Sequence, residues 1–198
     1  MATKPVPGLS NLRLSVDQTK GLLDSIAALA RREVLVGFPE DTTLRKEVAG
    51  EPEVTNAELG YTHDNGMPEH NIPARPFMIP GMLDATPKVL PVLEKVARRV
   101  LTRRDPEAIE QGWHQVGITV ATALKTKVNE GIPPPLSERT LRERATRGLK
   151  GRKGAQQELA RRAAGEMPST QFAKPLIDTA QMRNAINYVI RDRKKRRL

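Results

Sequence analysis

Residues 105–131 read DPEAIEQGWHQVGITVATALKTKVNEG, and this stretch predicts the longest helix of the chain. Asp105, Pro106 and Glu107 form a strong start, because a capping carboxylate, a proline and an acidic residue all suit the first turn of a helix. Apolar side chains then recur every three or four residues at Ile109, Trp113, Val116, Val120, Leu124 and Val128. Gly131 is a natural stop, so we expect the helix to run to about Glu130.

Two short β-rich runs lie far apart on either side of this helix. Residues 33–38 (EVLVGF) follow the stretch Val16–Ala30, whose apolar residues have helical spacing. Residues 187–190 (NYVI) form the second run. Together these patterns predict an α+β fold, in which a small antiparallel or mixed sheet packs on the long helix and basic arms extend from the core.

The remaining patterns predict three further helices. One lies within Val54–Asn65, and another is short and begins after Ser137, whose hydroxyl suits the capping position. Between them, three prolines in residues 72–80 argue against regular helix. We therefore expect the third helix to begin only between Pro87 and Pro91.

The charge of the chain is unevenly distributed. Residues 1–100 carry 12 basic and 13 acidic side chains, whereas residues 101–198 carry 21 basic and 10 acidic ones. The second half therefore contains the whole excess behind the net charge of +10. Such an excess is typical of contact with phosphate or with an acidic protein surface, and a well-solvated surface is the alternative for any single residue.

Composition also separates a core from two basic segments. Residues 148–172 contain several glycines and basic residues but few large apolar side chains, which is typical of a flexible arm. The last residues, 191–198, read RDRKKRRL and form a basic tail. We therefore predict one core domain from residues 1–147 and 173–190, with a flexible arm at 148–172 and a C-terminal tail at 191–198.

No pattern in the sequence is typical of an enzyme. The chain has no cysteine, so disulfides and thiolate metal ligands are excluded. It has no nucleophile elbow, phosphate loop or dinucleotide fingerprint, and its acidic residues do not cluster as a two-metal nuclease requires. His63 and His70 lie close in sequence, but Gly66 and Pro68 between them do not fit a helical zinc site. We expect no catalytic residue, no cofactor and no metal.

The expected surroundings of the protein follow from hydropathy and aromatic content. No run approaches the about 18 consecutive apolar residues of a membrane helix, and the first ten residues lack the apolar core of a secretory signal. We therefore expect a protein made in a cytoplasm, with no membrane partner. Trp113, Phe172 and Tyr188 are the only aromatic residues of the basic half. Any contact with nucleic acid is thus expected at backbone phosphates rather than by base stacking.

Arg75 lies in the segment IPARPF, at residues 72–77. Because Pro73 and Pro76 flank it, its backbone is expected to be extended and its guanidinium ordered at low entropic cost for a carboxylate. Phe77 is expected to anchor the segment in the core. A brace within the subunit and a contact between subunits are equally compatible with this pattern.

Several blocks of sequence, taken in order, resemble the small neck or tail-completion proteins of tailed bacteriophages. They are AELGYTHDNG (57–66), IPARPF (72–77), PLSERTL (135–141), KPLIDTAQM (174–182) and NAINYV (184–189). The family has a His-acid-aromatic-Gly turn, an Ile-Pro-Ala-Arg-Pro-Phe segment and a Pro-Leu-x-x-Thr-Gly-x-Leu turn. In this chain Asn65 stands in place of the aromatic residue and Ala180 in place of the second glycine. The likeness covers about Ala57 to Val189.

This resemblance implies a structural virion protein with no catalytic activity. It implies a homo-oligomeric ring, a hexamer, that joins head to tail and completes the tail top around the DNA channel. Its neighbours would be neck, tail-terminator or tail-tube proteins, and it would be assembled in the host cytoplasm. The candidate assembly residues are His63, Asp64, Arg75, Phe77, Arg152 and Lys153. The candidates for contact with DNA or an acidic partner are Arg193, Lys194, Lys195, Arg196 and Arg197. The alternative is a small basic protein that binds nucleic acid without sequence specificity.

Overall fold

The order of helices and strands comes from a computed structural model, which describes residues 9–40, 54–103, 105, 107–147 and 151–193. The elements are α1 (Leu9–Arg31), β1 (Arg32–Gly37), α2 (Asn56–Asn65), a 3₁₀ helix (Pro68–His70), α3 (Met78–Arg103), α4 (Glu107–Asn129), α5 (Glu138–Thr146), α6 (Arg152–Ala163), α7 (Gln181–Ala185) and β2 (Asn187–Asp192).

The two strands pair with each other although they lie at opposite ends of the chain. They are antiparallel, with Arg32 opposite Asp192 and Gly37 opposite Asn187. Helix α4 packs against both strands. The Tyr188 ring approaches this helix so closely that a Cβ at Gly117 would lie 2.3 Å from it. The predicted α+β fold, with a small antiparallel sheet on the long helix, is confirmed.

Helix α4 also has the predicted ends. Asp105 caps it, because its Oδ1 accepts a hydrogen bond from the Ala108 N–H at 3.2 Å. The helix ends at Asn129, and Gly131 follows in a left-handed conformation with φ of +80°. The buried face of α4 supplies Leu124 and Val128 to the central core, where they meet Phe77 and Ile186.

The predicted start of α3 is wrong. The helix begins at Met78, upstream of the expected start between Pro87 and Pro91, and both prolines lie inside it. The physical reason is a cap from another part of the chain. The Asp64 carboxylate accepts hydrogen bonds from the N–H groups of Phe77, at 2.7 Å, and Met78, at 2.9 Å. Such a cap satisfies donors that a helix start leaves free, so α3 can begin within the proline-rich segment.

The described part of the predicted arm, residues 151–172, is packed rather than extended. It contains α6, which lies against α5 and buries Ala155 completely. A Cβ at Gly154 would lie 2.1 Å from the Phe172 carbonyl oxygen, so the helix and the following segment are in close contact. Small side chains therefore replace the large apolar residues whose absence suggested an arm. Residues 148–150 and most of the predicted tail, 194–198, lie outside the described residues.

The second strand is longer than predicted. Besides residues 187–190, it includes Arg191 and Asp192, which had been assigned to the tail. None of the helices in the described residues has the length and apolar character needed to cross a membrane.

Candidate functional site

The sequence blocks that carry the resemblance meet at a group of polar and charged side chains, which we call the arginine junction. It consists of His63, Arg75, Arg144, Arg147 and Asp178. Two cavities of about 300 and 380 Å³ adjoin the junction, and both are lined by His63 and Arg144. Residues from α2, the segment 72–77, α5 and the loop 174–180 thus form one site.

Helix α2 positions the first part of this site. It begins with a capping box, in which the Thr55 hydroxyl accepts from the Glu58 N–H at 3.1 Å and the Glu58 carboxylate accepts from the Thr55 N–H at 2.8 Å. The backbone hydrogen bond to Thr55 is the main reason that the pKa of Glu58 is lowered. The other end of α2 carries His63 and Asp64, so the cap fixes where both residues stand.

Arg75 braces the subunit from within. Its side chain is only 5% exposed, and its Nε and one terminal nitrogen donate to the Pro134 carbonyl at 3.2 and 2.8 Å. Its backbone N–H donates to the His63 carbonyl at 2.8 Å. Among the described residues it forms no ion pair with a carboxylate. The structure therefore contains a brace within the subunit, although its acceptor is a backbone carbonyl and not the expected carboxylate, and the contact between subunits stays a prediction.

Arg144 holds the loop that follows α6. One terminal nitrogen donates to the carbonyls of Lys174 and Ile177 at 3.0 and 2.9 Å, and the other donates to Pro175 at 2.8 Å. The Asp178 carboxylate lies 3.8 Å from its Nε. Three carbonyl partners in one loop fix the loop against α5, so Arg144 sets the position of the whole segment 174–178.

Burial leaves the positive charges of Arg75 and Arg144 poorly compensated. Desolvation, and then the charge of Arg144, lowers the pKa of Arg75 below its usual range. Desolvation also lowers the pKa of Arg144. The charge of Asp178 offsets this lowering in part, and the charge of Arg147 lowers the pKa further. Carbonyl oxygens satisfy hydrogen bonds but carry no full negative charge. The junction therefore has an excess of positive charge in a partly desolvated place.

The other predicted assembly residues have different environments. Phe77 is fully buried and packs edge to face on Phe38 at 6.5 Å between ring centroids, which confirms the predicted anchor. Arg152 and Lys153 are exposed at the start of α6 and line neither cavity of the junction. Arg193 follows β2 and is exposed, whereas Lys194, Lys195, Arg196 and Arg197 lie outside the described residues.

Sequence reasoning missed Arg144 and Glu158, two of the buried charged residues. Arg144 stands three residues after the fully buried Leu141, and this spacing could have placed both on one face of α5. Glu158 lies three and four residues before Arg161 and Arg162, which is the spacing of a helical ion pair. Both signals are weak, because solvated helices show the same spacings.

A second feature of the described surface is apolar. Ile79, Leu83 and Leu90 of α3 are 63, 66 and 58% exposed, and Met82 lies beside them. We call these four residues the α3 stripe. Their spacing places them on one side of the helix. Exposed apolar side chains on one side of a helix are typical of a site that another protein covers.

Within the described residues, no group of three or more histidine, cysteine, aspartate or glutamate side chains is arranged to hold a metal ion. Comparisons of the chain with models of known protein families, with curated proteins and with solved structures found no match.

Proposed function

We propose that this chain is a structural protein of the neck or tail top of a tailed bacteriophage. In this proposal copies of the chain form a ring, a hexamer, that surrounds the DNA channel, completes the tail and contacts neighbouring neck, tail-terminator or tail-tube proteins. The chain acts by assembly and catalyses no reaction.

The backbone at two positions is the observation that carries this proposal. The family pattern has glycine where this chain has Gly66 and Ala180. Gly66 has φ of +80° and Ala180 has φ of +64°, the left-handed region that favours glycine. At Gly66 a Cβ would also lie 2.7 Å from the Ala74 backbone nitrogen. The backbone thus has the conformation that the family's glycines suit, even where the glycine itself is replaced.

The α3 stripe supports assembly with other protein chains. An exposed apolar stripe on one helix is costly for a protein that works alone, whereas a ring of subunits can cover it. The net charge of +10 per copy suits neighbours that carry acidic surfaces or phosphate. Both features favour a protein that works inside a larger particle.

The proposal is tested by determining whether the chain is present in purified particles and where it lies in them. Tailed particles should be purified from cells that carry its coding sequence, analysed by mass spectrometry and imaged by electron cryomicroscopy. We expect several copies per particle and a ring at the head–tail junction into which the α4–sheet unit fits. Particles that are complete without the chain, or a chain found only in other parts of the cell, would refute the proposal.

A nucleic-acid-binding protein is the second candidate, and the charge of the second half favours it. Under this alternative the free chain binds duplex DNA through phosphates, so its affinity falls steeply with salt and is the same for unrelated sequences. A titration of labelled duplexes at two salt concentrations measures this directly. Strong binding by a chain absent from particles would favour the alternative.

A further inference from the structure

The larger cavity of the arginine junction has the features of an anion site. Its volume is about 380 Å³, and its lining includes His63, Arg75, Ser137, Thr140 and Arg144. We call it the α5 cavity. The residues that line it include no aspartate or glutamate. The two arginines on its wall therefore meet no carboxylate within the cavity itself.

The partners of Arg75 and Arg144 compensate this charge only in part. Arg75 bonds only to backbone carbonyls among the described residues, and Arg144 has Asp178 at 3.8 Å. Asp178 lines the other cavity of the junction, not this one. A buried guanidinium without a nearby anion is costly, and an oxyanion that accepts from the remaining N–H groups would remove that cost.

Two further groups suit the same ligand. Ser137 and Thr140 line the α5 cavity, and because their hydroxyls share one hydrogen bond at 2.8 Å, one hydroxyl proton remains to donate to an anion. They also mark the start of α5, where the helix dipole adds partial positive charge. The positive potential in the cavity comes mainly from Arg75 and Arg144, and the start of the helix adds to it.

We propose that the α5 cavity binds an oxyanion group, either a phosphate or a carboxylate, through Arg75 and Arg144. A carboxylate would come from an acidic side chain of another protein, and a phosphate would come from a free anion. This inference does not depend on the proposed function, because the site lies within one chain and can be tested on purified protein.

The first experiment compares salts on the full chain. The unfolding midpoint is measured in sodium phosphate, sodium acetate and sodium chloride at equal ionic strength and equal pH. If the concentration of the anion is many times its dissociation constant for the site, the unfolding midpoint should rise by about 4 °C above the chloride value. A rise in phosphate alone identifies a phosphate site, and a rise in acetate as well identifies a site that also takes an acidic side chain. Equal midpoints in all three salts would overturn the proposal.

The second experiment locates the effect. Arg75→Gln keeps an N–H donor for the Pro134 carbonyl but removes the charge, and we expect the phosphate-dependent rise to disappear. Arg139→Gln is the matched control, because Arg139 belongs to α5, beside the cavity, but does not line it and its side chain is 90% exposed. The control variant should keep the full rise of the unfolding midpoint in phosphate. An equal loss in both variants would show that phosphate acts on overall charge and not in the cavity.

A spectroscopic measurement covers the case in which Arg75→Gln does not fold. The Nε–H signals of Arg75 and Arg144 are followed by nuclear magnetic resonance in the wild-type chain as phosphate is added. Saturable shifts of either signal, absent with chloride, are the expected result. A rise in the unfolding midpoint without such shifts would place the anion elsewhere and overturn the assignment.

Discussion

Helices α3 and α6 each contain side chains that depart, in opposite directions, from the rule that apolar residues are buried and charged residues are exposed. The α3 stripe leaves Ile79 and Leu83 largely in solvent, whereas α6, which is rich in alanine and charge, buries Glu158 completely. The difference lies in the partners that each side chain finds. A carboxylate with all its acceptors satisfied can be buried, and a leucine that meets no facing surface among the described residues stays exposed.

Glu158 is satisfied on both oxygens. Oε1 accepts from Arg162 Nε at 3.0 Å and from the Ser169 N–H at 2.7 Å, and Oε2 accepts from Arg161 at 3.1 Å. Through these bonds one side chain fastens α6 to the segment that follows it. Arg162 extends the network, because it also donates to the Leu136 carbonyl at 3.0 Å. The network adds to the small apolar cluster of Leu136, Leu141, Ala155 and Ala173, which also holds this region together.

The largest effect is expected from Glu158→Gln. The substitution keeps the size of the side chain but leaves two arginines without their buried anion, so we expect the free energy of unfolding to fall by about 3 kcal/mol. Chemical denaturation measures it. Glu166→Gln is the control, because Glu166 also contacts Arg161 but is exposed. Similar losses of unfolding free energy in both variants would mean that the burial of Glu158 does not strengthen its ion pairs with Arg161 and Arg162.

A part of this stabilisation should depend on pH. Burial raises the pKa of Glu158, but the Ser169 N–H and the charges of Arg162 and Arg161 outweigh it and hold the pKa below its usual value. The unfolded chain therefore binds a proton more readily than the folded one at this site. Its contribution is present above the unfolded pKa of about 4.3 and is lost as the pH falls through the folded pKa. We expect wild type to lose more stability than Glu158→Gln between about pH 5 and 3. Parallel losses would exclude Glu158 as the cause.

The smallest effect on stability is expected on α3. Leu83→Gln should change the free energy of unfolding by less than about 0.5 kcal/mol, because the side chain is already in solvent. The same variant should weaken assembly if the stripe is covered by another copy, and mass measurement over a range of concentrations detects this. Met167→Gln, at an exposed apolar residue outside the stripe, is the control and should leave assembly unchanged. A large loss of stability in Leu83→Gln would remove the contrast between the two helices.

The sequence pattern predicted those helices and strands whose ends are set by residues next to them in the chain. Asp105 and Gly131 mark the ends of α4 in the sequence itself, and the β-rich runs predicted both strands. It failed for α3, because the cap that starts this helix is Asp64, a residue of another helix. The extended backbone at Arg75 was predicted from its prolines, but the carbonyl that Arg75 binds was not, and Arg144 was missed because its partners are also carbonyls of a distant segment. Carbonyl partners leave no trace in residue identity.

Ala180 has a consequence for the evolution of the chain. It holds a left-handed conformation that costs an alanine roughly 1 kcal/mol relative to glycine. In the genetic code every alanine codon becomes a glycine codon through one base change, so Ala180→Gly is a single mutational step away. Random mutagenesis followed by selection for heat resistance should therefore recover this substitution repeatedly. The gain it offers comes from the backbone alone and needs no new contact.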